Sequence, residues 1–275
     1  MLKDFIDDKL NRERYANFII NITNSQQEYK VLSDNKSLIL AIDSPWGTGK
    51  TTFVNMLETK IKREYDNNYN PISYTVVSYN AWKCDFSDNP LETLIFEIYK
   101  NVSDSKNIPD DLKEDFFNAL KLLGKVSLTR LLGDKDAVED ILEVLRIGKS
   151  TFKKKKSSTM IDYFKKYAEE KSKLDKFKES LGRICFDKKM IIIIDELDRC
   201  RPDFSIELLE AVKHIFDIPN LTFIFSLDID KLSKGIEKIY GDINGTEYLI
   251  RFFDYISKMP KPDVRCICKP FIKVR

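Results

Sequence analysis

The residues with the clearest chemistry are consecutive: Ser44-Pro45-Trp46-Gly47-Thr48-Gly49-Lys50-Thr51. The last three positions match the phosphate-binding spacing G-x-x-x-x-G-K-[ST], and Ser44 stands where a glycine is usual. Such a loop turns its backbone N–H groups inward around a phosphate, so side chains near the turn must be small. Gly47 and Gly49 supply that freedom, and Ser44 fits the first position if its φ is negative. Lys50 would reach the β- and γ-phosphates as a point charge, and Thr51 would offer its hydroxyl to Mg²⁺. The nucleotide-binding stretch is therefore expected to run from Ser44 through Thr52, with Pro45, Trp46 and Thr48 at its variable positions.

A second constellation supplies acids. Ile191-Ile192-Ile193-Ile194-Asp195-Glu196 is an apolar run ending in two carboxylates. Asp195 is expected beside Mg²⁺ with Thr51, and Glu196 is placed to orient and deprotonate a water for attack on the γ-phosphorus. A third run, Leu221–Leu227, ends at Asp228. Asp228 and Ser226 are candidates for sensing the γ-phosphate or the attacking water, and helix capping is an equal alternative for Asp228. Charge developing in the transition state also calls for a cation. Arg199, Arg201 and Arg251 are available and spacing does not choose among them. Arg251, just before the last apolar stretch, joins Glu196, Lys50 and Asp228 in the expected catalytic set.

These residues need elements to hold them. Asp4–Ile22 carries apolar residues at helical spacing, as do Thr51–Arg63, Pro90–Lys100, Ser205–Phe216 and Ile229–Tyr240. Ser37–Ile42, Ile72–Tyr79, Met190–Ile194, Leu221–Leu227 and Phe252–Lys258 read as strands, several apolar enough to be buried on both faces. Strands alternating with helices predict an α/β fold with a mainly parallel sheet. Residues 101–187 are Lys- and Glu-rich, helical in pattern, broken at Gly124, Gly133 and Gly148, and too long for a crossover. They are expected to form a helical insertion within a single domain spanning 1–275, whose C-terminal end after 260 is short.

Composition narrows the classes. The chain has 275 residues, 43% hydrophobic and 12% aromatic, enough to bury a sizeable core rather than stay disordered. With 46 Lys and Arg against 44 Asp and Glu, the net charge of +2 gives no global argument for nucleic acid or a membrane surface. Lys153–Lys156 and the lysines of 165–178 form a basic stretch, but acids interleave, which favours a solvated helix over a nucleic-acid site. The five cysteines include one lone C-x-C, Cys266-Ile267-Cys268, without the second pair that a zinc site uses. The single histidine, His214, lies in an ordinary amphipathic pattern, which argues against His-based nucleophilic or metal chemistry. No apolar run approaches the roughly 20 residues of a membrane-spanning helix, and Met1–Asp4 opens no signal-peptide core. A cytoplasmic location is expected.

The chain resembles the KAP family of P-loop NTPases. The likeness is carried by Asp8-Lys9-Leu10-Asn11-Arg12-Glu13-Arg14-Tyr15-Ala16, by Pro45–Thr52, by Tyr79-Asn80-Ala81-Trp82-Lys83, by Asp195-Glu196-Leu197-Asp198-Arg199-Cys200-Arg201-Pro202, and by Tyr248–Phe253. The resemblance implies an additional-strand P-loop core with strand order 5-1-4-3-2. It implies ATP with Mg²⁺, since no guanine-reading Asn-Lys-x-Asp is present, and places Asn80 and Trp82 near the site or its lid. Many family members carry membrane helices between the two nucleotide motifs; here that stretch is charged. Two functions follow. One is an ATP hydrolase coupling nucleotide state to conformational change, plausibly in anti-phage defence and with a protein partner or homo-oligomer. The other is a non-catalytic ATP-binding switch that recruits a partner.

Overall fold

The computed structural model describes residues 5, 8, 10–25, 36–63, 74–87, 89–105, 108–123 and 160–261. Five apolar runs become the strands β1 (Leu38–Asp43), β2 (Thr75–Asn80), β3 (Met190–Asp195), β4 (Leu221–Leu227) and β5 (Tyr255–Lys258). They form one sheet in the order β2-β3-β4-β1-β5, with every neighbouring pair parallel. Read from the other edge, this is the order 5-1-4-3-2. β3 and β4 are buried at every position and β1 at its four central ones, as the continuous apolar runs require. β2 and β5 are the edges, with Ser78 of β2 and both ends of β5 exposed.

The strand period of two sorts the core into layers. Leu40, Ile42, Ile191, Ile193 and Ile224 face α1 (Glu13–Ser25) and α2 (Lys50–Ile61). Tyr15, Ala16, Ile19 and Ile20 of α1 and Phe53, Val54, Met56 and Leu57 of α2 close that layer. An aromatic ladder marks the other face: Phe216–Phe223, Phe223–Phe225 and Phe225–Phe253 have centroids 5.6, 6.4 and 5.6 Å apart. Among the described residues, the β2–β3 connection carries α3 (Ala81–Cys84), α4 (Pro90–Asp104), α5 (Asp110–Leu123) and α6 (Met160–Asp187). After β3 come α7 (Pro202–Ile215), α8 (Ile229–Tyr240) and α9 (Gly245–Ile250).

Several boundaries differ from the sequence pattern, and three have a local cause. α1 starts at Glu13 rather than near Asp4, because the Asp8 carboxylate takes the N–H groups of Leu10 and Arg12 and Asn11 turns to φ 53°. The local bonds of Asp8 compete with helix there. α7 starts earlier, at Pro202, whose fixed φ suits a first helical turn. The apolar Phe252–Phe253 belongs to a turn, and the strand starts only at Tyr255. Asp254 accounts for this. Its backbone N–H donates to the Ile39 carbonyl and its carboxylate accepts the Ile39 N–H, both at 2.8 Å, so it enters the edge of the sheet.

The chain divides into two compact units, one of Met1–Leu91 with Cys185–Arg275 and one of Glu92–Ile184. The first holds the sheet and every residue of the cavity described below. The second is helical in its described residues. Phe116 packs on Phe177 and Tyr99 on Phe117, and Arg183 pairs with Asp115 and Glu179 at 2.8 and 2.9 Å. Gly124, Gly133, Gly148, Lys153–Lys156, Cys266 and Cys268 lie outside the described residues. Among the described residues, no helix is long and apolar enough to cross a membrane.

Candidate nucleotide site

The loop between β1 and α2 is held from within. Ser44 is buried, its N–H bonds the Leu227 carbonyl at 3.1 Å, and its φ is not among the positive ones. Its Oγ lies 2.7 Å from Thr48 Oγ1, which donates to the Pro45 carbonyl at 2.8 Å. Gly47 and Gly49 adopt φ of 79° and 85°, the left-handed region that side chains resist. A Cβ on Gly47 would meet nothing within 4 Å, so conformation rather than space selects glycine there. Gly49 is the N-cap of α2, and no side chain caps that helix end. The first N–H groups of α2 are thereby left for an anion, with the helix dipole behind them.

Lys50 is only 9% exposed. Its ammonium donates to the carbonyls of Ser44 at 2.5 Å and Pro45 at 3.2 Å. Behind the loop stands Arg12, 2% exposed, whose Nη2 donates to the Thr48 carbonyl at 2.9 Å. Burial pulls the Arg12 pKa down, opposed by the charge of Asp8. Arg12 thus ties the loop at the Thr48 carbonyl.

The acids line the facing wall. Asp195 ends β3, opposite Asn80 of β2 and Ser226 of β4 in register. Burial pushes its pKa up, and the hydroxyls of Thr51 and Ser226 pull the other way. Its Oδ1 is buried without a hydrogen-bond partner. Glu196 follows at φ 63°, ψ 27°, a left-handed backbone that costs a non-glycine residue about 1–3 kcal/mol. Both of its carboxylate oxygens are occupied. Oε2 accepts from Asn80 Nδ2 at 3.0 Å, and Oε1 pairs with Arg199 at 3.0 Å. Asn80 also caps α3 through Oδ1, accepting from the Lys83 N–H at 3.0 Å, which fixes its amide. The Arg199 guanidinium lies 5.5 Å from the ring centroid of Trp46.

Together these walls enclose a cavity of about 330 Å³ lined by Trp46, Gly47, Gly49, Lys50, Thr51, Thr52, Asp195, Glu196, Asp198 and Arg199. Ser44, Pro45 and Thr48 support the loop from outside this lining. Two expected members of the catalytic set stand apart. Asp228 accepts the Lys231 N–H at 3.1 Å and caps α8, the alternative role its position allowed. Arg251 is exposed at the C-cap of α9 and absent from the lining, because the turn before β5 carries it outward. Arg201 is bound to Asp85 Oδ1 at 3.1 Å and to the carbonyls of Asp85 and Ser87 at 3.0 Å.

Asp198 was not singled out by spacing, yet it lines the cavity at 7% exposure. Its Oδ2 has no hydrogen-bond partner, with Lys231 Nζ at 3.9 Å. Burial raises its pKa, and the charges of Lys50 and Lys231 lower it. An acid three positions beyond Asp195 was the available signal. Asn80 and Arg12 appeared only within stretches of family likeness, and Trp82 is half-exposed on α3 and outside the lining.

A phosphate loop after the first strand, an acid-tipped β3, and β4 between their strands define a P-loop NTPase of the additional-strand type. The P-loop domain of the KAP family matches residues 12–263, and the chain belongs to that family. Over 80 residues it is 28% identical to the Phage T7 exclusion protein of Escherichia coli (strain K12), a match spanning 29% of this chain and 11% of that protein. Among solved structures it is similar to the Aeropyrum pernix ORC2 protein in ADPNP-ADP complexes, with TM-score 0.46 and 13% identity. That match covers 95% of this chain and 51% of the other. It is also similar to C. elegans PCH-2, with TM-score 0.38 and 10% identity over 96% of this chain and 48% of the other. The chain thus spans about half the length of these structures and a small part of the exclusion protein.

Proposed function

We propose that the chain binds ATP with Mg²⁺ and hydrolyses it, using the nucleotide cycle to drive a conformational change. The observation that carries this reading is one cavity holding an uncapped α2 N-terminus, a buried lysine and two acids at the tip of β3. Lys50 is held by two loop carbonyls, and it would exchange these for β- and γ-phosphate oxygens. The residues fit a hard cation: Asp195 Oδ1 is a buried acceptor without a partner, beside the hydroxyl of Thr51. Mg²⁺ takes few protein ligands and fills its shell with phosphate and water oxygens. When bound, it neutralises charge on the β- and γ-phosphates. Glu196 orients the attacking water and accepts its proton. Asp198 lines the same cavity, with Lys231 Nζ 3.9 Å from its Oδ2, and adds a carboxylate beside the phosphate site.

Support for a role against phage is the short match to the phage exclusion protein. A protein partner or a second copy would read the nucleotide state, and the setting would be cytoplasmic. Phosphate release from ATP by the purified chain, with Mg²⁺ and with EDTA, tests the enzymatic reading. Release that requires Mg²⁺ and disappears in Lys50→Ala supports it. Tight ATP binding with no release, even in a single turnover, replaces it with the nucleotide-binding switch. Plating efficiency of phage on bacteria expressing the chain tests the defence role, which fails if parent and Lys50→Ala cells plate equally.

A further inference from the structure

We infer that Arg199 is the cation this chain supplies, in cis, to the γ-phosphate, and that it is stored on Glu196 until a triphosphate takes it. The inference rests on the hydrolytic reading and names how that site is regulated.

Three observations converge. Arg199 lines the cavity from the same chain, on the short turn that carries Glu196 (Leu197–Arg199 is one turn of 3₁₀ helix). The other arginines weighed for this role are committed or remote: Arg201 is tied to Asp85 and Ser87, and Arg251 is exposed outside the lining. Arg199 also touches the base itself. With Arg199 on Oε1 and Asn80 on Oε2, both Glu196 oxygens already accept from donors, and the guanidinium holds a position on Oε1 that a water would use.

The Arg199 site is built for exchange. Its side chain is 35% exposed, so the ion pair with Glu196 is screened and easily given up. Trp46 offers its ring face to the guanidinium from the phosphate loop and is itself 70% exposed. A γ-phosphate entering between Lys50 and Glu196 carries more charge than the glutamate and matches the guanidinium fork in two bonds. Transfer of Arg199 to it frees Oε1 for water. In the step that follows, a water oxygen bonds the γ-phosphorus and the bond from that phosphorus to the β,γ-bridging oxygen breaks. ADP leaves with the bonding pair, and the proton of the water passes to Glu196. A diphosphate lacks the group that draws Arg199 away, so the base stays occupied.

Trp46 reports the transfer. In a Trp82→Phe background it is the sole tryptophan of the chain. ATP should change its emission as the guanidinium leaves the ring, and ADP should not. Glu196→Gln, which removes the charge that stores Arg199, should weaken the response. Arg199→Ala should bind ATP by equilibrium dialysis, lose the ATP-dependent emission change and lose turnover on the order of 10³-fold. Arg199→Lys, which keeps the charge without the fork, should recover part of the turnover and guards against misfolding as the cause. The inference is overturned if Arg199→Ala hydrolyses ATP at the parent rate, or if its Trp46 responds to ATP as the parent does. It is also overturned if mixing Arg199→Ala with Lys50→Ala restores turnover, which would place the cation on a neighbouring copy. If the parent itself neither binds nor hydrolyses ATP, the enzymatic reading falls and takes this inference with it.

Discussion

The loop wall of the cavity closes most of its bonds on itself, whereas the acid wall joins a local ion pair to a partner distant in sequence. Lys50 folds back on Ser44 six positions away, and Thr48 bonds Ser44 and Pro45. Glu196, by contrast, is shared between Arg199, three positions on, and Asn80, 116 positions away, and its backbone sits in a left-handed conformation. On the proposed reading, the loop wall would bind the nucleotide and the acid wall, with both Glu196 oxygens engaged, would control the chemical step.

Lys50→Ala should produce the largest loss of binding. It removes a buried charged donor worth about 1.5–3 kcal/mol, or roughly 10- to 150-fold in ATP affinity by titration calorimetry. An unchanged affinity would break the assignment of binding to the loop wall. Gly49→Ala should cost about 1–3 kcal/mol through its φ of 85°, and it also sets a Cβ 3.4 Å from Arg12 Nη1. Its ATP affinity and melting temperature should both fall.

Asp195→Asn should separate the walls in the opposite sense. Burial raises the Asp195 pKa, so its ionised form is a cost in the folded, nucleotide-free chain. A carboxyl with a raised folded pKa binds more protons folded than unfolded, so stability falls as pH rises above the ordinary value of 3.8. The asparagine variant should therefore melt a few degrees higher at pH 7, an amount typical of a gain near 1 kcal/mol, while losing turnover. The gain should fade as pH approaches 3.8. A lower melting temperature at pH 7 would contradict it. The smallest effect is on thiol reactivity. Burial pushes Cys185 up to about 12 and raises Cys200 as well, so brief alkylation at pH 8 followed by mass mapping should spare both.

What was legible in the sequence follows the same division. The central strands β1, β3 and β4 were readable because their continuous Ile, Leu and Phe runs suit positions buried on both faces, and β4 and α8 were bounded to the residue. The phosphate loop was readable because its requirements are local: two left-handed glycines, a lysine and a hydroxyl at fixed offsets. The acid wall was partly hidden. Asp195 and Glu196 stood out at a strand end, but pairing Asn80 with Glu196 needs the β2–β3 register, which spacing does not carry. Asp228 is an example of two roles sharing one signal, since an acid after a strand and before a helix serves a site or a cap, and the structure shows the cap. Arg251 was placed by its nearness to β5 in sequence, while the turn set by Asp254 exposes it.

The most direct test of the central claim is a paired measurement on Glu196→Gln: ATP affinity by titration calorimetry and phosphate release in a single turnover, beside the parent. A binding wall distinct from a catalytic wall predicts parent-like affinity with phosphate release slowed on the order of 10²- to 10⁴-fold. Parent-like release from Glu196→Gln would contradict it.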